Sequence, residues 1–557
     1  MRRAAKLLIN CFLSASVFNY FIAVLVSLLN PHISLTGGDF FWLYIRLYIF
    51  YGPLWFIFIV IFFLGIQFFS EKKYPVGIFN PPTITYFLSF TIFSLSFILY
   101  FNYDYHFEFF AGPPKINFIR ILLMNLALVI LGIVFIFYKK VRKKWGQVLF
   151  LSLLAVHIFL SYAAVMGSKY GRSLSLPGKN EEKFLPQEFA VEVTPRKIRV
   201  VMMDGLSLNV IQALTSERKL LNFKEIINKG IHGKISTFKP NFDLSMLNST
   251  LTGRRPSEFA LHSHDKFKFA GLDHEFDILP RYIFFRKLPY ISLTSFYKRD
   301  DNVFLDNINR HYKTDGRKSV QLIRPPHIDR YSERSLHKNN RFVPLFSDLL
   351  NPSNKEDEKY NILEKFFFLD DYIKNMIPDL KDSDIYYAVI RLPGLGVISK
   401  YFYQYYLPQI FGTVQDETKI KKYGGLIEKY YEYYDSIVGN LMSTTGDDEL
   451  LVILSFFEYE PLPLWRRILV HLFGQRDVYV YKSPNSQGTI LMYEKEAIKR
   501  DYSLKTISIY DIYPTLMYYS GFQLSRDLHG EVLREIFTDD FLLNNPIDIN
   551  PDLDRFP

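Results

Sequence analysis

Cysteine is almost absent: the chain of 557 residues has one, Cys11. No intrachain disulfide can form, so the fold must be held by burial alone. A large domain can do without disulfides, so an oxidising compartment stays open to it. Acidic residues are scarce before residue 170, and long apolar runs are scarce after it. Residues 1–170 carry 14 Lys and Arg against 4 Asp and Glu, and the remainder carries 52 of each. The whole net charge of +10 therefore belongs to the apolar N-terminal part. That distribution is a membrane-topology signal, and it excludes a basic nucleic-acid footprint on the larger part. Histidine is missing between His471 and His529, which bears on metal binding below.

Five stretches are long and apolar enough to cross a bilayer, at about 7–29, 42–69, 85–102, 118–138 and 147–167. The second contains Arg46 and Pro53, so its first turns are expected at the interface. The flanking charges give direction. "MRRAAK", Lys72 and Lys73, and "YKKVRKKWG" flank one side, whereas "PHISLTGGDF" and "NYDYHFEFFAGPPK" are poor in basic residues. By the positive-inside rule the N-terminus is cytoplasmic and everything after about residue 168 is extracytoplasmic. The first apolar run is longer than a signal-peptide core and reads as a retained anchor; its cleavage would leave four spans and the same placement. The span interiors carry few ionisable residues, mainly Arg46, Arg120 and His157, which gives transport little support.

The boundaries expected are a transmembrane domain over 1–167, a polar linker over 168–197 broken by Pro177, Pro186 and Pro195, and an extracytoplasmic domain over 198–557. In that domain "IRVVMMD" reads as a buried parallel strand. Ser207 is placed to cap a helix that runs through Val210, Ile211, Leu214, Leu220, Leu221 and Phe223 and ends at Gly230. "GKISTF", "DIYYAVIRL" (384–392) and "DELLVILSFF" (448–457) read as further strands, with a helix over 422–444. Strands alternating with helices imply an α/β sandwich around a mostly parallel sheet. Chemistry in such sheets sits at the C-terminal strand ends, where Asp204 and the "SFFE" of 455–458 lie.

Four pieces, in order over about 350 residues, carry a family resemblance. They are "VVMMDGLS"; "LTGRRPSE" (251–258); "YYEYYDSIVGNLM" followed by "DDELLVILS"; and "ISIYDIYPTLMYYSGFQLSRDLHGEVLREIF" (507–537). Together they resemble the alkaline phosphatase/sulfatase superfamily, nearest its type I phosphodiesterase and nucleotide pyrophosphatase branch. The five-span anchor resembles that of membrane phosphoethanolamine transferases in architecture.

The resemblance implies two divalent metals held by Asp and His ligands around a Ser, Thr or modified Cys nucleophile, which the metals activate. Asp204 matches the first ligand. The nucleophile position, nine residues before Thr252, holds Asp243, with Ser245 or Thr237 as shifted candidates. The family's Asp-x-x-x-His pair falls on Gly396 and Lys400, where an ammonium could fill the space of a lost cation. Its Asp-His pair falls on Phe456 and Phe457, with Glu458 next to them, and its last histidine is missing. One other cluster, His262, His264, Asp265, Asp273 and His274, has metal-ligand residue types but reads as a solvated strand and turn, and His529 reads as loop packing.

The expectation is a catalytically degenerate, membrane-anchored envelope protein that needs no cofactor and binds a protein partner, glycan or lipid. The alternative is an active phosphodiesterase or phosphotransferase using zinc, manganese or magnesium on envelope lipid or polysaccharide. The topology is directly checkable. A reporter fused after Lys179 is expected to be active only outside the cytoplasm; activity inside would overturn the span count and the compartment together.

Overall fold

The computed structural model describes residues 2–69, 83–110, 112–137, 144–167, 195–259, 262–263, 265–281, 294–298, 304–323, 346, 358–381, 384–411, 417–463, 467, 480–482 and 487–550. Most of the expected linker, His264 and His471 lie outside them. The chain forms two compact units, one of residues 1–178 with 255–301, the other of 179–254 with 302–557.

Among its described residues the first unit holds five helices long and apolar enough to cross a membrane: α1 (Arg2–Leu29), α2 (Gly37–Phe69), α3 (Thr83–Tyr105), α4 (Gly112–Phe137) and α5 (Lys144–Gly167). They mark the chain as a membrane protein. The apolar window of α1 is 72% buried, against 22% for α2 and for α5, so α1 is the central helix. Polar side chains tie it to its neighbours. Ser14 meets Thr91 of α3. Asn19 Nδ2 donates to the Tyr44 carbonyl of α2 at 2.8 Å, and Tyr20 Oη to the Ile158 carbonyl of α5 at 2.7 Å. Ile61, Leu123 and Phe159 point outward, as side chains facing lipid do.

Residues 255–301, which the sequence boundaries assign to the 198–557 domain, pack into this first unit instead. They form the antiparallel strands β3 (Asp265–Phe269), β4 (Glu275–Phe276) and β5 (Thr294–Lys298), in the order β4-β3-β5. Two asparagines at helix ends hold them. Asn30 Oδ1 accepts from the backbone N–H of Asp277 and of Ile278, both at 3.0 Å, and its Nδ2 donates to the Ile278 carbonyl at 2.7 Å. Asn102 Oδ1 accepts from Arg281 N–H at 2.7 Å. The amide side chain supplies both a donor and an acceptor where short, irregular backbone would otherwise be buried unpaired. Lys266 and Asp277 form a buried ion pair within the segment.

The second unit is built on an eight-stranded sheet in the order β12-β2-β11-β8-β1-β7-β6, with β13 also pairing β2. Its central strands β1 (Lys197–Met203), β7 (Ile385–Leu392), β8 (Glu449–Ser455) and β6 (Lys318–Leu322) are parallel. Strand β11 (Gly488–Tyr493) runs antiparallel between β8 and β2 (Ile231–Ser236). The short strands β12 (Tyr502–Ser503) and β13 (Ile507–Ser508) run parallel to β2. The sheet is therefore mostly parallel, and apolar on both faces. Val201, Met203, Ile390 and Leu392 face the helices Glu358–Met376, Gly394–Tyr406 and Leu426–Thr444. On the other face Tyr387 of β7 stacks on Tyr312 of α9 (Asn307–Thr314), ring centres 5.6 Å apart.

The single helix expected after Ser207 is two: α6 (Leu208–Ser216) and α7 (Leu221–Lys229). The break falls where Arg218 takes a positive φ of 61° and Leu220 is fully buried. Ser207 occupies the cap position but makes no side-chain capping bond. The carboxylate of Asp435 caps α7 from the facing helix, accepting from the N–H of Asn222 at 3.2 Å and of Phe223 at 2.8 Å.

The Asn30 contacts give a stability expectation. Asn30→Ala leaves two buried N–H groups and a carbonyl without their partner, at a cost of about 3 kcal/mol. Thermal unfolding of the detergent-solubilised chain should fall and proteolysis within 255–301 should rise; an unchanged proteolysis pattern would show that Asn30 does not hold the segment.

Candidate functional site

The site forms at the C-terminal ends of β1 and β7. Met202 pairs with Arg391 across the two strands, so their side chains share a face. Asp204, two residues beyond Met202, returns to that face. It is the face opposite the Gly394–Tyr406 helix, and α8 (Asp243–Thr252) brings Asp243 to it at its first position. Four charges then meet. Arg391 donates to Asp204 Oδ2 from Nε at 3.0 Å and from Nη2 at 2.6 Å, and Nη2 also donates to Asp243 Oδ2 at 2.9 Å. Lys482, on strand β10 (Val480–Lys482), pairs with the other oxygen of Asp243. Its ammonium lies 3.7 Å from the centre of the Phe457 ring.

Two carboxylates and two cations balance. Burial pushes the Asp204 carboxyl above its ordinary range, more than Arg391 offsets, and the neighbouring Asp243 adds to the rise. Burial acts on Asp243 as well, but Lys482 and Arg391 outweigh it and hold that carboxyl far below the usual range. The difference follows from position. Asp243 has two cations and is 34% exposed, whereas Asp204 has one and is 11% exposed. Burial also pushes up the phenol of Tyr459, the residue paired with Lys482 across β9 (Tyr459–Pro461) and β10, and Asp243 and Asp204 add to that rise.

Glycines set the space around Asp204. Gly205 has a φ of +77°, and a Cβ there would come within 2.8 Å of the Gly396 Cα. A Cβ on Gly396 would lie 2.9 Å from the Asp204 Cβ. The strand-end turn and the first turn of the Gly394–Tyr406 helix thus touch backbone to backbone, and an acidic side chain at 396 would not fit without moving one of them. Behind this contact Asp370 caps the same helix, accepting from Gly394 N–H at 3.3 Å and from the hydroxyls of Tyr430 and Tyr434, each at 2.8 Å. Burial raises the Asp370 carboxyl to about 7.

Asp204 and Asp243 are thus brought together. The other expected site residues are not. Lys400 lies 5.4 Å from the Tyr401 ring, and the cations that neutralise the carboxylates are Arg391 and Lys482. Phe456 and Phe457 are buried. Glu458 turns toward Ser207 and the start of α6 rather than into the ion-paired group, and burial raises its carboxyl. Ser245 is wholly buried inside α8, and Thr237 lies just past β2. His529 is exposed, its ring 6.3 Å from that of Tyr510. The histidine cluster disperses: His262 packs on Phe109 and His32, His274 pairs with Asp39 at 3.2 Å, and Asp273 is an exposed partner of Lys268. Among the described residues no group of three or more His, Cys, Asp or Glu could hold a metal ion. Two carboxylates already tied to a guanidinium and an ammonium are a poor donor set for a pair of divalent ions.

Arg391, Lys482, Tyr459 and Asp370 were not marked by the sequence. Arg391 had a signal: it is the one charge in the apolar strand "IYYAVIRL", and a charge there needs a buried partner. No family model matches the chain, and no curated protein matches it.

Arg391→Met would leave Asp204 buried without its counter-charge. The expected loss is about 2 kcal/mol or more, read as a lower unfolding temperature. Adding Asp204→Asn should restore part of it. A double variant as unstable as the sum of two single losses would mean that the pair is not the source of the effect.

Proposed function

We propose that this chain is a membrane-anchored, catalytically degenerate member of the alkaline phosphatase/sulfatase superfamily, with its second unit outside the cytoplasm, where it binds an envelope glycan, lipid or protein partner. The observation that carries the reading is the charge group of Asp204, Asp243, Arg391 and Lys482. In the family this resembles, divalent ions would neutralise such carboxylates. Here protein cations do so, and Gly396, Phe456 and Phe457 stand where further ligands are expected. A guanidinium and an ammonium locked to carboxylates cannot open a coordination position to substrate as a metal ion does.

A second reading, a phosphodiesterase or phosphotransferase with a rearranged centre, draws on one feature. Asp204 at a strand end and Asp243 at a helix start converge on one cation, the relation expected between a metal ligand and a nucleophile. Asp243, one-third exposed, is the side chain that would attack phosphorus.

Purified full-length protein decides between them. On the first reading elemental analysis finds less than about one tightly bound transition metal per chain, since such sites take three or four protein ligands. Phosphomonoesters and phosphodiesters are then not turned over above background with added zinc, manganese or magnesium, and Asp204→Ala, Asp243→Ala and Ser245→Ala change no rate. Two metals per chain, or turnover abolished by Asp204→Ala together with one of the other two, would establish the second reading.

A further inference from the structure

Arg46 is a cation in α2 that the helix packing leaves without a counter-charge. Its Nε is shielded from solvent and has no hydrogen-bond partner, and among the described residues no carboxylate pairs with its guanidinium. It lies over the ring of Trp42, a turn earlier, whose centre is 5.8 Å away. Asp39 at the start of α2 and Asp273 in the turn after Gly271 are engaged elsewhere. Asp39 is held by Thr36 and His274, and Asp273 by Lys268.

The depth of Arg46 follows from the helix length. The 33 residues of α2 rise about 50 Å, whereas a hydrocarbon core is about 30 Å thick. The first turns of α2 are taken up by protein. Asp39 pairs with His274, and Arg46 Nη2 comes within 3.4 Å of the point where a Cβ on Gly271 would sit. The apolar window that opens at Gly37 therefore extends beyond the lipid-embedded part. From Leu47 to Phe69 there are 23 residues without a charge, enough for a rise of about 34 Å. Arg46 thus sits where hydrocarbon gives way to headgroups. Phe41 and Trp42, 57% and 49% exposed, mark the same level with interfacial aromatic rings.

We infer that Arg46, stacked on Trp42 beside the turn between β3 and β4, binds the phosphate of a membrane phospholipid in the leaflet at that end of the helices. A guanidinium at this depth needs an anion to offset its desolvation. Its planar fork matches phosphate oxygens two at a time. Gly271, at a φ of +83° and without a side chain, lets the turn approach Nη2 of the fork closely. The site depends on the membrane span and is independent of whether the second unit catalyses anything.

The test is native mass spectrometry of the full-length protein from detergent, titrated with phosphatidylglycerol and, separately, with inorganic phosphate. The wild type should retain one phospholipid with an apparent Kd about tenfold below that of Arg46→Gln. Arg46→Lys should fall between them. Lys115→Gln, which removes a cation seated 3.9 Å over the Phe107 ring at the same end, should bind like the wild type. Millimolar inorganic phosphate should not displace the lipid. If Arg46→Gln fails to fold, as judged by thermal unfolding, Trp42→Leu should still weaken retention about threefold. Equal retention by the wild type and the Arg46 variants, equal loss in Lys115→Gln, or displacement by inorganic phosphate would each overturn the lipid site.

Discussion

The geometry of the second unit's strand ends depends on one guanidinium. Arg391 sits in a buried strand, and that is tolerable only because Asp204 and Asp243 accept its donors. Those carboxylates come from the neighbouring strand end and from a helix on the same face, so one side chain fixes three elements against each other. The strand-end turn at Gly205, pressed against Gly396, and the start of α8 take their places around it. Lys482 then ties the β9-β10 strand pair to Asp243 and to the Phe457 ring. Remove the positive charge, and the two acids that converge there would repel each other in a partly dehydrated corner.

A metal centre and a salt-bridge group answer the same electrostatic requirement in different ways. A divalent ion concentrates charge, leaves an open position and can be lost to a chelator. An arginine and a lysine spread the charge, fill the space with their own stems and cannot leave. The second solution favours a fixed shape over reactivity. Fold alone does not carry activity, and here the strand ends are held together by ion pairs.

Much of this could be read from the sequence, and what could not has identifiable causes. The spans were legible because a bilayer demands length and apolarity in one continuous run, and "IRVVMM" and "ELLVILS" because strands buried on both faces are apolar throughout. Asp204 was legible because a carboxylate and a glycine directly follow such a strand. The break between α6 and α7 was not, because Leu214 and Leu221 lie seven residues apart, a helical spacing that carries across the polar "TSERK" between them. Lys482 was invisible because it lies 239 residues from Asp243, on a three-residue strand too short to show a period. Asp370 was hidden in an ordinary helix, since its role depends on two tyrosine hydroxyls from another helix. The assignment of 255–301 was missed because its ties are two asparagines, and an asparagine at a helix end looks the same in sequence whether it caps its own helix or a segment far away in the chain.

That last feature changes where the protein can be cut. The proline-broken stretch before β1 invites a truncation meant to free the sheet-bearing unit from the five helices. Such a fragment would carry residues 255–301 without Asn30, Asn102, His32 and Phe109, leaving Ile278 and the Asp277 backbone unsupported and His262 without its aromatic cover. It would be an open loop of sticky, half-folded strands rather than a domain. A self-contained fragment would instead need the segment excised and Arg254 spliced to the chain near Asn302, the unit boundaries that the fold itself sets.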